Sequence, residues 1–193
     1  MSAATSPEGR PLGHAPGHPA GVVVITGIMA AGKSTVAQAL AERLPRAAHV
    51  RGDVFRRMIV SGREDYAPGG GAEAEAQLRL RYRLSASTAD AYAAAGFTAI
   101  VQDVILGEEL KRYVDLVRTR PLFVVVLAPR PAAVAEREAG RGKTGYGAWT
   151  VEALDEGFRA TTPRLGLWLD SSELTVDRTV DAVLARLGEA AVA

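Results

Sequence analysis

Residues 27–35, which read "GIMAAGKST", restrict the fold of this chain more than any other stretch of its sequence. They match the pattern G-x-x-x-x-G-K-[S/T], and they stand between the apolar run "GVVVITG" and an alanine-rich helical pattern. The pattern forms a loop between a strand and the first turn of a helix, where backbone N–H groups and the positive end of the helix dipole converge on phosphates. We therefore expect a strand, a phosphate-binding loop and a helix in this order, with a nucleoside triphosphate at the loop.

The residue types within this loop suit a bound ATP and its Mg²⁺. Gly27 and Gly32 allow the backbone to curl around the phosphates. Lys33 supplies a movable positive charge for the β- and γ-phosphates, the Ser34 hydroxyl suits Mg²⁺, and Thr35 suits a phosphate oxygen. The predicted nucleotide-binding residues of the loop are Gly27, Ala30, Ala31, Gly32, Lys33, Ser34 and Thr35.

Short apolar runs alternate with helical patterns along the chain. Strands are predicted at "GVVVITG", "AAHVRGD", "FTAIVQDVIL", "PLFVVVLAP" and "LGLWLDSS". Helices are predicted at residues 33–44, at 72–96 with Gly96 as the stop, at 131–141, and at 175–188 with Thr175 as the N-cap. Apolar strands that alternate with helices indicate a parallel sheet covered on both faces, so we predict a three-layer α/β/α sandwich.

Composition narrows the class of protein further. The 193 residues suit one domain, which we place at residues 21–193 after a Pro- and Gly-rich tail at residues 1–20 that lacks the apolar stretch of a secretory signal. The net charge of +1 provides no global field for nucleic acid or membrane, and the absence of Cys excludes disulfides and thiolate metal sites. The longest apolar runs are shorter than the ~18 residues of a membrane span. We expect a cytoplasmic protein with no membrane partner.

Charged residues at the strand ends complete the predicted site, since ligands of such sheets bind at the carboxyl ends of the strands. Asp53 follows the second strand, where it either takes a proton from an acceptor hydroxyl or caps the next helix. Asp103 follows the third strand, where it either binds Mg²⁺, directly or through water, or serves as a turn residue. Arg137 and Arg141 share one helix face, which suits a lid at about residues 137–150 that neutralises the transferred phosphate; surface ion pairing is the alternative.

The order of these motifs resembles that of the small P-loop kinases and, within them, the chloramphenicol phosphotransferase-like family. The resemblance covers the chain from Gly21 onward. It implies a five-stranded parallel sheet of order 2-3-1-4-5, ATP and Mg²⁺ as cofactors, and phosphorylation of a hydroxyl on a small molecule, either an antibiotic or a metabolite. It also implies Asp53 as general base, a lid with Arg137 and Arg141, and an adenine site beside residues 170–172. The residues of that adenine site are Asp170, Ser171 and Ser172. The chain departs from some relatives at Gln102–Asp103, where they carry two adjacent acids.

Two other functions fit parts of the sequence. Asp53 and Arg56 form an Asp-x-x-Arg pattern that resembles the polynucleotide 5′-kinases, in which the arginine grips a phosphate next to the 5′-hydroxyl. The balanced charge and the 6% aromatic content disfavour a nucleic acid acceptor. A nucleotide-binding module with little turnover is the other alternative. Acceptor specificity is expected at residues 54–95, where the side chains of Tyr66, Tyr82 and Tyr92 either line a pocket or belong to the core.

Overall fold

The computed structural model describes residues 21–66, 71–139 and 150–193. Strands and helices alternate along these residues, as the sequence predicts. The elements are β1 (Val22–Thr26), α1 (Lys33–Arg43), β2 (Ala47–Arg51), α2 (Gly52–Arg57), α3 (Ala72–Ala94), β3 (Thr98–Gln102), α4 (Glu109–Leu116), β4 (Leu122–Leu127), α5 (Pro131–Ala139), α6 (Val151–Thr161), β5 (Leu167–Leu169), α7 (Val176–Ala185), a short 3₁₀ helix (Leu187–Ala190) and β6 (Ala191–Val192).

The sheet confirms the predicted order. Its strands run β2-β3-β1-β4-β5, and all four of these pairings are parallel. The five strands of this order are joined in chain order by helices, among which α1 packs against α7 and α3 packs against α4. The architecture is therefore the α/β sandwich that the apolar strand pattern predicts.

The three central strands form the core because their sequences are apolar on both faces. Every residue of β1, β3 and β4 is buried, including Thr98 and Gln102 at the two ends of β3. The outer strand β2 is only partly buried, which agrees with its weaker apolar pattern. The carboxyl ends of β1 and β3 are further joined by the Thr26 hydroxyl, which both donates to the carbonyl oxygen and accepts from the N–H of Ile105, each at 2.9 Å.

Three elements extend the predicted list. The helices α4 and α6 lie where no element was predicted, and β6 adds a sixth strand that pairs antiparallel with β4. In the part of the chain that the structure describes, no helix is both long and apolar enough to cross a membrane.

Candidate active site

The phosphate-binding loop connects β1 to α1. Gly27 has a φ of 142°, and a Cβ there would lie 2.3 Å from the carbonyl oxygen of Leu127, so only glycine fits between the two strands. Ala30 and Gly32 both have positive φ angles, of 58° and 93°, and Gly32 is the N-cap of α1. Consequently the loop has the tight curl that its sequence predicts, and α1 begins at Lys33.

The first side chains of α1 differ in their exposure to solvent. Lys33 is buried, and its Nζ donates to the carbonyl oxygen of Ile28 at 2.7 Å, so the ammonium lies over the loop itself. Ser34 and Thr35 are exposed in the first turn of α1. The helix N-terminus, the glycine cradle and the exposed hydroxyls together fit the triphosphate of ATP. Of the predicted Mg²⁺ ligands, Ser34 fits the ion because its hydroxyl faces solvent at the phosphate end of the site.

Asp53 lies in the first turn of α2, directly beyond β2. The helix begins at Gly52 with Arg51 as the N-cap residue, so Asp53 does not cap it. The carboxylate is held by Arg57, whose Nη2 is 2.9 Å from Oδ2, and more loosely by Arg51, whose Nε is 3.7 Å from Oδ1. Within the described residues, the buried Oδ1 has no hydrogen-bond partner. Oδ1 thus accepts no hydrogen bond from the described residues, and the charged neighbour paired with it is Arg51 at 3.7 Å.

A groove of about 360 Å³ runs beside the phosphate loop, between α1 and β2. Its lining residues are Ser34, Thr35, Gln38, Ala39, Glu42, His49 and Arg51. Arg51 both lines this groove and pairs with Asp53, while Asp53 itself is not among the lining residues. Burial, and then the charge of Arg51, lower the pKa of His49, while the Asp53 carboxylate raises it.

Asp103 does not fit the direct Mg²⁺ coordination that was one of the sequence-based interpretations. It is fully buried at the end of β3 and forms an ion pair with Arg81 on α3. Its Oδ2 accepts from Arg81 Nε at 2.7 Å, and its Oδ1 accepts from the Val104 N–H at 2.7 Å and contacts Arg81 Nη2. Both oxygens are therefore occupied. No group of three or more His, Asp or Glu side chains that suits a metal occurs in residues 21–66, 71–139 and 150–193.

Arg81 is the residue that sequence reasoning missed at this site. It belongs to a run of arginines on α3 whose charge is explained in part by helical pairing, such as that of Arg79 with Glu75. Burial lowers the pKa of the Arg81 guanidinium. The charge of Arg56 lowers this pKa further, whereas the charge of Asp53 raises it. Arg81 pairs with a residue 22 positions away, a separation that local sequence patterns do not report.

Arg137 on α5 lies between the phosphate loop and the segment that follows β5. Its Nη2 donates to the carbonyl oxygen of Ser171 at 2.7 Å and to that of Ser172 at 3.4 Å. Its Nη1 lies 4.0 Å from the position of a Cβ on Gly32. The structure thus brings Arg137 together with the loop and with the predicted adenine segment. Arg141 and most of the predicted lid lie outside the described residues.

The segment after β5 is ordered by its own hydrogen bonds. Asp170 Oδ1 accepts from the N–H and the hydroxyl of Ser172, and the Ser172 hydroxyl lowers the pKa of that carboxyl. Ser172 Oγ also accepts from the N–H of Arg130, at 2.7 Å. The buried Ser171 hydroxyl has no hydrogen-bond partner among the described residues.

Residues predicted for acceptor recognition have different environments. Arg56 forms an ion pair with Asp65, and both are partly exposed. Tyr82 belongs to the core: it is buried, and its hydroxyl donates to the carbonyl oxygen of Val104 at 2.8 Å. Tyr66 and Tyr92 are exposed, and Tyr92 packs edge-on against Phe97.

A phosphate loop after the first strand and a parallel sheet of order 2-3-1-4-5 with helices on both faces define the fold of the P-loop kinases. The chain belongs to the AAA domain family AAA_33, whose model matches residues 22–163. No curated protein matches the sequence.

Many solved structures share the fold, and three of them follow. A sugar kinase from Janibacter sp. HTCC2649 is 20% identical with a TM-score of 0.65, and the match covers 89% of this chain and 96% of that one. The APS kinase CysC of Mycobacterium tuberculosis, in complex with AMPPNP and APS, is 19% identical with a TM-score of 0.62 and coverages of 86% and 96%. The tunicamycin resistance protein of Deinococcus radiodurans is 13% identical with a TM-score of 0.61 and coverages of 89% and 98%. Identities this low establish a common fold and no more.

Proposed function

We propose that this protein is an ATP-dependent kinase that transfers the γ-phosphate to a hydroxyl of a small molecule. The observation that carries the proposal is the Asp53 carboxylate just beyond β2, whose Oδ1 accepts no hydrogen bond from the described residues and whose partner Arg51 lines the groove beside α1. A protein that only sensed ATP has no need of a proton acceptor at this point.

The proposed reaction assigns one role to each group. Asp53 accepts the proton of the acceptor hydroxyl while the hydroxyl oxygen of the acceptor bonds to the γ-phosphorus. The bond between the γ-phosphorus and the β,γ-bridging oxygen breaks, and ADP is released. Lys33 leaves the Ile28 carbonyl and moves to the phosphates, to which its charge is better matched. Ser34 would hold Mg²⁺ together with the phosphates, and the ion would supply neutralisation of the phosphate charge.

The remaining predicted residues serve the nucleotide. Arg137, which already contacts the carbonyl oxygen of Ser171, holds the ATP between the loop and the turn after β5. Arg141 completes the arginine pair of the lid. The backbone of residues 170–172 contacts the adenine.

The acceptor class follows from the resemblance to chloramphenicol phosphotransferase-like kinases. It is supported by structural neighbours that include a sugar kinase, an APS kinase and a tunicamycin resistance protein. We infer a hydroxyl-bearing antibiotic or metabolite. The alternative acceptor, a 5′-hydroxyl of a nucleic acid, requires that Arg56 leave Asp65 to grip a phosphate.

The test follows radiolabelled γ-phosphate from ATP with Mg²⁺ into two pools. One contains hydroxyl-bearing antibiotics and metabolites, and the other contains 5′-hydroxyl oligonucleotides. We expect label in the first pool, lost by about 100-fold or more in Asp53→Asn because the base is removed. Asp181→Asn, the same change at an exposed aspartate on α7, is the control and should transfer label normally.

Other outcomes have definite meanings. Label on the oligonucleotides would replace the small-molecule acceptor with a nucleic acid end. Release of inorganic phosphate alone, equal in Asp53→Asn and in the unmodified protein, would contradict the kinase proposal and favour the low-turnover module.

A further inference from the structure

The buried ion pair between Arg81 and Asp103 lies against Gly52, the residue before the candidate base. A Cβ on Gly52 would lie 1.8 Å from Asp103 Oδ2, so the carboxylate occupies the space where a side chain at position 52 would stand. Gly52 is the first residue of α2 and immediately precedes Asp53. The position of the Asp103 carboxylate therefore fixes how closely the start of α2 approaches the end of β3.

The carboxylate is itself held from two sides. Arg81 binds both of its oxygens from α3, and the Arg81 side chain is 16% exposed while that of Asp103 is 0% exposed. The next residues are also anchored, since Tyr82 donates to the Val104 carbonyl and Thr26 bonds with Ile105 in both directions. Arg81 holds the carboxylate through two contacts, so the geometry of the pair is fixed. Removal of one partner would leave a buried charge uncompensated.

We propose that Arg81 is a positioning residue of the candidate active site. It holds Asp103 in place, and the contact of Asp103 with Gly52 then fixes the position of the neighbouring Asp53. In this arrangement Asp103 serves the fold of the site and is not a ligand of Mg²⁺. The inference rests on the proposed function for the role of Asp53, whereas the role of the pair itself is testable without an acceptor.

The first experiment measures how Mg²⁺ supports ATP binding, by displacement of a fluorescent ATP analogue. Asp103→Asn should change the Mg²⁺ concentration at half-maximal binding by less than about twofold, whereas Ser34→Ala should raise it about tenfold or more. An increase of about tenfold in Asp103→Asn would overturn the proposal and return Asp103 to the metal, bound directly or through water.

The second experiment tests the contact between Asp103 and Gly52 by measuring amide hydrogen exchange over residues 51–58. Arg81→Lys and Gly52→Ala should both increase exchange at the start of α2 and leave the loop and α1 unchanged. Arg79→Lys is the matched control on the same helix, because Arg79 is half-exposed and, among the described residues, pairs with the exposed Glu75. Unchanged exchange in Arg81→Lys and Gly52→Ala would overturn the proposal.

A third variant set separates positioning from general stability. Arg81→Met should lower the melting temperature by about 10 °C, and the double variant Arg81→Met with Asp103→Asn should recover a large part of it because the stranded charge is gone. If Arg81→Met does not fold, Arg81→Lys and Asp103→Asn carry the same comparison. If the double variant lost the sum of the two single-variant decreases in melting temperature, the proposed coupling between Arg81 and Asp103 would be contradicted.

With an acceptor in hand, Arg81→Lys should lower kcat by about ten- to a hundredfold and leave the KM for ATP unchanged, because a small displacement of the base affects the reaction and not nucleotide binding. A change confined to the KM for ATP would oppose the proposal. Failure of the unmodified protein to phosphorylate any acceptor would defeat the proposed function, while the exchange and Mg²⁺ measurements would still decide the role of the pair.

Discussion

Single residues set the geometry of the phosphate loop, and Gly27 is the one with no substitute. Both its positive φ and the approach of the Leu127 carbonyl oxygen exclude a side chain. Gly27→Ala should lower the free energy of unfolding by about 3 kcal/mol, from backbone strain and overpacking. Urea denaturation measures this. Gly188→Ala is the control, since a Cβ there meets open space and should cost less than about 0.5 kcal/mol; equal losses would contradict the prediction.

A second prediction at this scale concerns His49 and pH. Burial holds its folded-state pKa below the usual 6.5, so the unfolded chain takes up the proton first as the pH falls. The contribution of His49 to stability is therefore fully present above about pH 6.5 and is lost as the pH falls from there to the folded-state pKa.

The measurement compares the free energy of unfolding at about pH 7.5 and about pH 5.5 for the unmodified protein and for His49→Gln. The unmodified protein should lose more stability between the two values. Gln keeps an amide near Gln38, the present partner of the His49 ring at 2.9 Å, but does not titrate. Equal losses would show that His49 does not titrate differently on folding.

The residues that sequence reasoning placed correctly are those whose chemistry is local. Gly27, Gly32 and Lys33 belong to one short pattern whose backbone geometry follows from its glycines and its helix start. Asp103 was placed correctly at a strand end, but its pairing with Arg81 depends on how α3 crosses the sheet, and no spacing in the chain encodes that crossing.

Individual helices and strands follow their end signals closely. Thr175 was predicted as the N-cap of the last helix, and its hydroxyl accepts from the Arg178 N–H at 3.3 Å at the start of α7. Gly96, predicted to stop the long helix, has a φ of 82° just beyond the end of α3. Both signals are local and require no knowledge of the packing.

The N-cap of α7 gives a prediction at the scale of one element. Thr175→Ala should lower the free energy of unfolding by about 1 kcal/mol because one N–H of the first turn loses its acceptor. Thr175→Ser keeps the acceptor oxygen and should cost only a small part of that. Chemical denaturation of both variants is the measurement, and a loss in Thr175→Ser equal to that in Thr175→Ala would assign the effect to the methyl group.

The missed elements do not share one cause. The helix α4 has only eight residues, at the lower limit of the helices that sequence patterns identify. The helix α6 has eleven residues and an N-cap hydroxyl at Thr150, so its start signal was present in the sequence and was overlooked. The strand β6 has two residues and exists only because β4 offers it hydrogen-bond partners.

At the scale of the whole molecule, nucleotide binding should be visible as stability, since a ligand that binds only the folded state stabilises it. ATP with Mg²⁺ at about 100 times its Kd should add about 2.7 kcal/mol and raise the melting temperature by about 5–10 °C. Asp53→Asn should keep this shift because Asp53 lies outside the phosphate loop, and Lys33→Met should lose most of it. A full shift in Lys33→Met would contradict the assignment of Lys33 to the phosphates.

The pairing of β6 with β4 has a consequence for how separate molecules meet. The three residues of β5 pair with Val125, Val126 and Leu127, so they leave the first half of β4 uncovered. Ala191 and Val192 cover Phe123 and Leu122 in that half. Without those two residues, apolar strand edges would present unpaired N–H and C=O groups to a neighbouring copy, and strand edges of that kind recruit other chains. The protection of this half of β4 against strand pairing with another copy therefore depends on a two-residue strand.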